Sequence, residues 1–168
     1  MDLTQLAAKA YDHQNRLDTL TQAQPAAAWK TALTGRTSAT RATDPDLAVP
    51  LAANTIYEIR AFLMYWSATA GAGFNFGWNP PGGGGAVGGS WGGTYNITGT
   101  GMGNYGNTWS TVVGLGTPAA QNNGVVLAGT LITVGSAGIM NLAWGTVDGV
   151  HTVNLNAGSY LIATRIGP

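Results

Sequence analysis

Few side chains in this 168-residue sequence could do chemistry. Ser159, His151 and Asp148 are the residue types of a nucleophile, its base and an orienting acid. They lie in a loop and a strand, without the elbow motif or the spacing that would present a serine to a substrate, and such a triad is defined by geometry rather than composition. Asp44-Pro45-Asp46 offers two carboxylates to calcium, yet it equally suits a turn in which Asp caps and Pro fixes φ, and turn propensity favours the turn. As a glycosidase pair the two acids are poor, because one short turn provides no apolar pocket to raise one pKa above the other. Cysteine is absent, which removes thiolate metal sites, thiol nucleophiles and disulfides together. Gly82 to Gly85 lacks the Lys-Ser or Lys-Thr of a phosphate loop. Asn96-Ile97-Thr98 spells a glycosylation acceptor, to which no role is assigned. The expectation is a chain with no catalytic, cofactor or metal site, hence not an enzyme.

Charge points the same way. The formal net charge is +0 with 8% charged residues, and beyond Arg60 the remaining charges are Asp148 and Arg165. Electrostatic binding to nucleic acid or an anionic membrane has little to work with, so neither is an expected partner. Met1 to Arg16 carries acidic and polar residues where a cleavable leader needs an apolar core, so no leader is expected. Val125 to Trp144 is long and uncharged, but glycines, Ser136 and Asn141 interrupt it. Two strands around Gly135-Ser136 fit better than a membrane helix.

The elements that must carry these residues change character along the chain. Residues 1–24 read as a helix: Asp2 can cap it with Gln5 three positions on, and Pro25 bars continuation. Leu3, Leu6, Ala10, His13, Leu17 and Leu20 recur at alternating steps of three and four, an a/d seam. Such a helix is roughly 30 Å long and marginal alone in water, so it needs a partner. Either it lies on its own domain or it self-associates as a coiled coil; Leu at both a and d leaves the number of strands open. In that seam His13 is either a packed polar residue or part of a pH-sensitive ring of histidines between subunits.

Residues 25–36 form an Ala-rich connector whose Trp29 and Leu33 suggest docking. From 37 to 168 about eight short β-prone runs are broken by Gly, Pro and Asn, the pattern of an all-β sandwich or jelly roll. In Ile56 to Trp66, the residues Tyr57, Ile59, Ala61, Leu63 and Tyr65 form the core face. The opposite face ends in Phe62, Met64 and Trp66, which another layer, a loop or a second subunit should cover. Later strands are expected at Gly124 to Val134, Ile139 to Thr146 and Ser159 to Ile166. Between Trp78 and Asn107 the glycine density excludes regular helix; Trp78, Trp91, Tyr95, Tyr105 and Trp109 can lock loops by packing, and Trp78, Trp91 or Trp109, if exposed, can act as stacking platforms for a glycan.

The run Arg41-Ala42-Thr43-Asp44-Pro45-Asp46-Leu47-Ala48-Val49-Pro50-Leu51-Ala52-Ala53-Asn54-Thr55-Ile56-Tyr57-Glu58 resembles the start of a β-sandwich module of virion proteins from phages of actinobacteria. The likeness continues through Ile59 to Tyr65, Phe74 to Pro81 and Gly138 to Trp144. It closes on Asn156-Ala157-Gly158-Ser159-Tyr160-Leu161-Ile162-Ala163-Thr164-Arg165-Ile166. The resemblance implies a jelly-roll-like sandwich on a phage head or tail, often trimeric, with no chemistry. Two departures stand out: the module here follows only a short helix, and Pro80 to Gly93 is unusually Gly-rich. The short chain looks most like a head decoration protein or small head fibre.

Sequence and resemblance together lead us to expect a mainly β protein: a coiled-coil-like N-terminal α-helix, then a jelly-roll-like antiparallel β-sandwich. Its expected partners are copies of itself, as a homotrimer, and the major capsid protein or other virion proteins. The expected subunit interface comprises Leu3, Leu6, Ala10, His13, Leu17, Leu20, Phe62, Met64 and Trp66. The alternative is a tail-associated fibre or a carbohydrate-binding module that meets a host-surface glycan.

Overall fold

A computed structural model describes residues 2–82, 87–96, 100–106, 109 and 111–168. Helix α1 (Leu3–Ala23) is followed by β1 (Ala26–Trp29), β2 (Thr34–Arg36), β3 (Ala42–Leu51), β4 (Thr55–Trp66), β5 (Phe74–Asn79) and β6 (Val87–Asn96). Then come β7 (Thr100–Gly106), β8 (Val113–Leu115), β9 (Asn123–Thr133), β10 (Gly138–Thr146), β11 (Val153–Leu155) and β12 (Tyr160–Gly167). One sheet has the order β1-β12-β4-β9-β6-β7, with β11 joining β2 and β4 at one end; the other has the order β3-β10-β5-β8. The strand pairs are antiparallel and the two sheets form a jelly-roll-like sandwich.

β4 shows why the layers fall this way. Its residues alternate, so Tyr57, Ile59, Ala61, Leu63 and Tyr65 point inward and are buried, as the period of two requires. Tyr65 stacks at 4.6 Å on Phe74 of β5 in the opposite sheet, and Phe74 in turn packs on Phe76 and on Trp144 of β10. The stretch 125–144 resolves into β9 in one sheet and β10 in the other, so the turn at Gly135-Ser136 carries the chain across the sandwich. Two glycines are needed where they stand. A Cβ on Gly129 would lie 2.5 Å from the Ser90 carbonyl and 2.6 Å from Trp91 Cβ, so β6 and β9 could not approach. Gly158 adopts φ +88°, which an L side chain disfavours, in the turn that starts β12.

Residues 25–36 are not a connector. β1 pairs with β12 and β2 with β11, so the larger sheet already begins at Ala26. The described strands number twelve, ten of them within residues 37–168, where about eight were expected and where the short β8 and β11 make up the difference. Asp44-Pro45-Asp46 lies within β3 rather than in a separate turn, though Asp44 caps as expected, accepting from the Asp46 and Leu47 amides. β3 slips in register against β10 between Ala48 opposite Asn141 and Thr43 opposite Ala143, and the slack is a bulge at residues 44–47.

Candidate assembly surface

At the N-terminus, Asp2 Oδ1 accepts from the Thr4 amide at 2.6 Å, the capping that starts α1. The helix meets the sandwich at β12. Over residues 2–17 it is exposed all round: Leu3 is 85% accessible, Leu6 57% and Leu17 44%, and Ala10 and His13 are exposed beside them. The reading in which this helix lies on its own domain therefore fails. The side chains of Leu20, Tyr95 and Tyr105 lie outside the described residues; Gly83–Gly85 and Ile97-Thr98 lie outside them altogether.

A second apolar surface lies on the outer face of the larger sheet. Phe62, Met64 and Trp66 are half-buried there. Phe62 is opposite Tyr160 on one side, with ring centroids 6.1 Å apart, and opposite exposed Val126 on the other. Gly124 makes room for the Phe62 ring, since a Cβ there would stand 2.9 Å from Cε2. Further along the same strand the surface turns polar, with Arg60 bonded to Glu58 at 2.7 Å. β4 thus runs from a charged end to an apolar end.

The aromatic residues of the Gly-rich excursion behave differently from a stacking platform. Trp78, Trp91 and Trp109 are 1%, 2% and 1% accessible, packed against one another at 6.1 to 6.3 Å. Trp109 Nε1 donates to the Thr130 carbonyl at 2.9 Å and so fastens the excursion to β9. A glycan cannot stack on these three rings, and their role is core packing.

The candidate triad is not assembled. His151 Nδ1 lies 2.6 Å from Asp148 Oδ2, but the Ser159 hydroxyl donates to the Asn156 carbonyl and accepts from the Met64 amide. Asp148 also accepts from the amides of Val150 and His151, and these bonds, the Val150 amide first, lower its pKa to about 2. That is a loop cap. A shallow cleft of about 330 Å³ lies between the base of α1 and the end of β3, lined by Ala26, Pro50, Tyr57 and Arg165 among others, with no carboxylate in its wall. Among the described residues no three potential metal-ligating acids or histidines cluster, and no helix is long and apolar enough to cross a membrane.

Sequence reasoning missed a buried charge cluster between the sheets. Lys30 Nζ lies 3.0 Å from Asp44 Oδ2 and 3.0 Å from Asp46 Oδ2. The carboxylates once weighed for calcium thus converge on an ammonium. Asp44 also accepts from Trp144 Nε1 at 2.9 Å and, within the bulge, from the amides of Asp46 and Leu47. Burial pushes its pKa up, but the bonds from Trp144, Lys30 and the Asp46 amide, with the Lys30 charge, hold it below the usual carboxylate range. Arg36 lies over the Trp144 ring, 4.4 Å from its centroid, and donates to the Ala42, Thr43 and Trp144 carbonyls. Burial lowers its pKa, opposed by Asp44. The signal available in the sequence was the lone Lys30 in an Ala-rich run, with the next acids after it fourteen and sixteen residues on.

No protein-family model matches the chain, and no curated protein matches it. Among solved structures it is similar to the Eiger TNF of S. frugiperda, at 10% identity over 85% of this chain and 92% of that one, with a TM-score of 0.45. It is also similar to the tripod from the baseplate of bacteriophage Tuc2009, at 10% identity over 80% and 64%, TM-score 0.35. A third is the C-terminal CBM6 of LamC, a laminarinase of Zobellia galactanivorans, at 13% identity over 84% and 99%, TM-score 0.31. These likenesses concern the fold. The chain is a jelly-roll-like β-sandwich protein with a projecting N-terminal helix.

Proposed function

We propose that this protein is a non-enzymatic structural component of a phage particle, a trimeric head decoration protein or small head fibre whose helix assembles it and whose sandwich covers or projects from the capsid. The observation that carries this reading is α1: a helix with a regular leucine seam, exposed along residues 2–17. A helix of this length is marginal in isolation, and burying Leu3, Leu6, Ala10, Leu17 and Leu20 against copies of themselves supplies the missing stabilisation. The half-buried Phe62, Met64 and Trp66 give a second surface that a neighbouring copy or the major capsid protein can cover. A nearly charge-free exterior suits a shell that meets other proteins rather than nucleic acid or membrane. Synthesis in the host cytoplasm and assembly onto the virion, without a cofactor, complete the reading.

Two measurements test it. Native mass spectrometry of the full chain at micromolar concentration is expected to give a trimer; a monomer overturns the assembly. Imaging of particles lacking the protein is expected to show an intact head without its surface density, whereas loss of a tail appendage moves the protein to the tail.

A further inference from the structure

Assembly through α1 leaves the Lys30 cluster without a purpose. The side chains of Lys30 and Asp44 are wholly buried, while Asp46 keeps 36% of its side chain exposed. Lys30 Nζ faces both oxygens of Asp44, at 3.0 Å from Oδ2 and 3.3 Å from Oδ1. Those oxygens are held from the other side: Trp144 Nε1 donates to Oδ2 at 2.9 Å, and the Asp46 and Leu47 amides donate to Oδ1 at 3.0 and 3.3 Å. The cluster therefore contains an amine confined against a carboxyl carbon, donors aimed at one carboxyl oxygen, and a second carboxylate 3.0 Å from the same nitrogen. These are the parts of an amide condensation: a positioned nucleophile, an oxyanion site and a proton carrier.

We propose that Lys30 and Asp44 condense into an intramolecular isopeptide bond, with Asp46 as the proton carrier. Asp46 relays a proton from the Lys30 ammonium to Oδ2 of Asp44, and the freed lone pair on Nζ attacks Cγ of the now neutral carboxyl. The charge that builds on Oδ1 meets the amides of Asp46 and Leu47. Asp46 then carries a second proton from the nitrogen to Oδ2, which leaves as water through the exposed side of Asp46. One N–C bond forms, one C–O bond breaks, one water is released and nothing is oxidised or reduced. Desolvation favours the product, because an ion pair taken out of water carries a penalty on both charges that a neutral amide does not. The bond ties the first strand of the larger sheet to the smaller sheet, since Lys30 directly follows β1 and Asp44 lies in β3. As α1 leads directly into β1, a pull on the helix would be taken by this link.

The test is the mass of the full chain, unfolded in urea and measured by electrospray ionisation. The expected mass is one water below that of the sequence. Trypsin is expected to leave Lys30 uncut and to release residues 17–36 joined to residues 42–60. This map distinguishes the link from cyclisation at Asp148-Gly149, which also loses water. Asp46→Asn, checked for folding by circular dichroism, is expected to keep its full mass and to be cut after Lys30. A folded wild-type protein that retains its full mass after prolonged incubation overturns the proposal, as does a water loss mapped to another site. An Asp46→Asn protein that still carries the link overturns the role given to Asp46.

Discussion

Asp44 accepts from Lys30, Trp144 and two backbone amides, so its truncation strands a buried ammonium and leaves an indole and two amides without their acceptor. Removing one partner of a buried pair costs about 3 to 5 kcal/mol. Asp44→Ala should therefore lower the unfolding free energy by at least about 3 kcal/mol in urea titration. The Arg60 and Glu58 side chains are 65% and 39% exposed, and Glu58→Ala should change stability by less than about 1 kcal/mol. Equal effects of the two substitutions would refute this assignment. Asp148 gives the pH counterpart. Its pKa is about 2 in the folded chain, against about 3.9 for an unfolded aspartate. A lowered carboxyl contributes stability above the unfolded value and loses it as pH falls through the folded one. Urea midpoints measured between pH 4 and pH 2 should therefore fall less steeply in Asp148→Asn than in the wild type.

Among the elements, α1 is the one whose stability its own contacts do not explain. It is exposed over residues 2–17, and on the proposed assembly, in which copies hold one another's helix, the double substitution Leu6→Asp with Leu17→Asp should abolish both helix and association. The expected readings are loss of the helical signal near 222 nm by circular dichroism and a shift of sedimentation to the monomer, with the β signal unchanged. Retained helicity in a monomer would contradict that dependence. What the sequence revealed about these elements follows from how local the signals are. β4 and α1 were legible because a period of two over residues 56–66 and a seam from Leu3 to Leu20 repeat often enough to define a face. β1 was not, because Ala26–Trp29 has no β-branched residue and gains its identity from pairing with Ala163 to Tyr160, far along the chain. The Lys30 cluster was hidden for the same reason: Trp144 lies 100 residues from Asp44. Trp78, Trp91 and Trp109 were ambiguous because glycine neighbours carry no pattern that says which side faces in.

For the whole molecule, the question is whether the helix alone can hold copies together. A seam of five leucine and alanine positions on a helix roughly 30 Å long is a small interface beside the minimum of about 1,000 Å² typical of specific association. The outer face of β4 is the surface that can add to it, because Phe62, Met64 and Trp66 lie half-buried near exposed Val126. Trp66 has the largest side chain of the three, and interface energy concentrates in such residues. Trp66→Ser should therefore weaken trimer formation at least about tenfold in sedimentation equilibrium, the effect of losing about 1.4 kcal/mol of contact. The inward core that stabilises the monomer lies on the other side of β4, so its urea midpoint should move little. Removing residues 2–24 should leave a folded sandwich that associates more weakly than the full chain. If Trp66→Ser leaves association unchanged while that truncation abolishes it, the helix alone is the assembly element and the β4 face is left to a different protein, for which the capsid surface is the candidate.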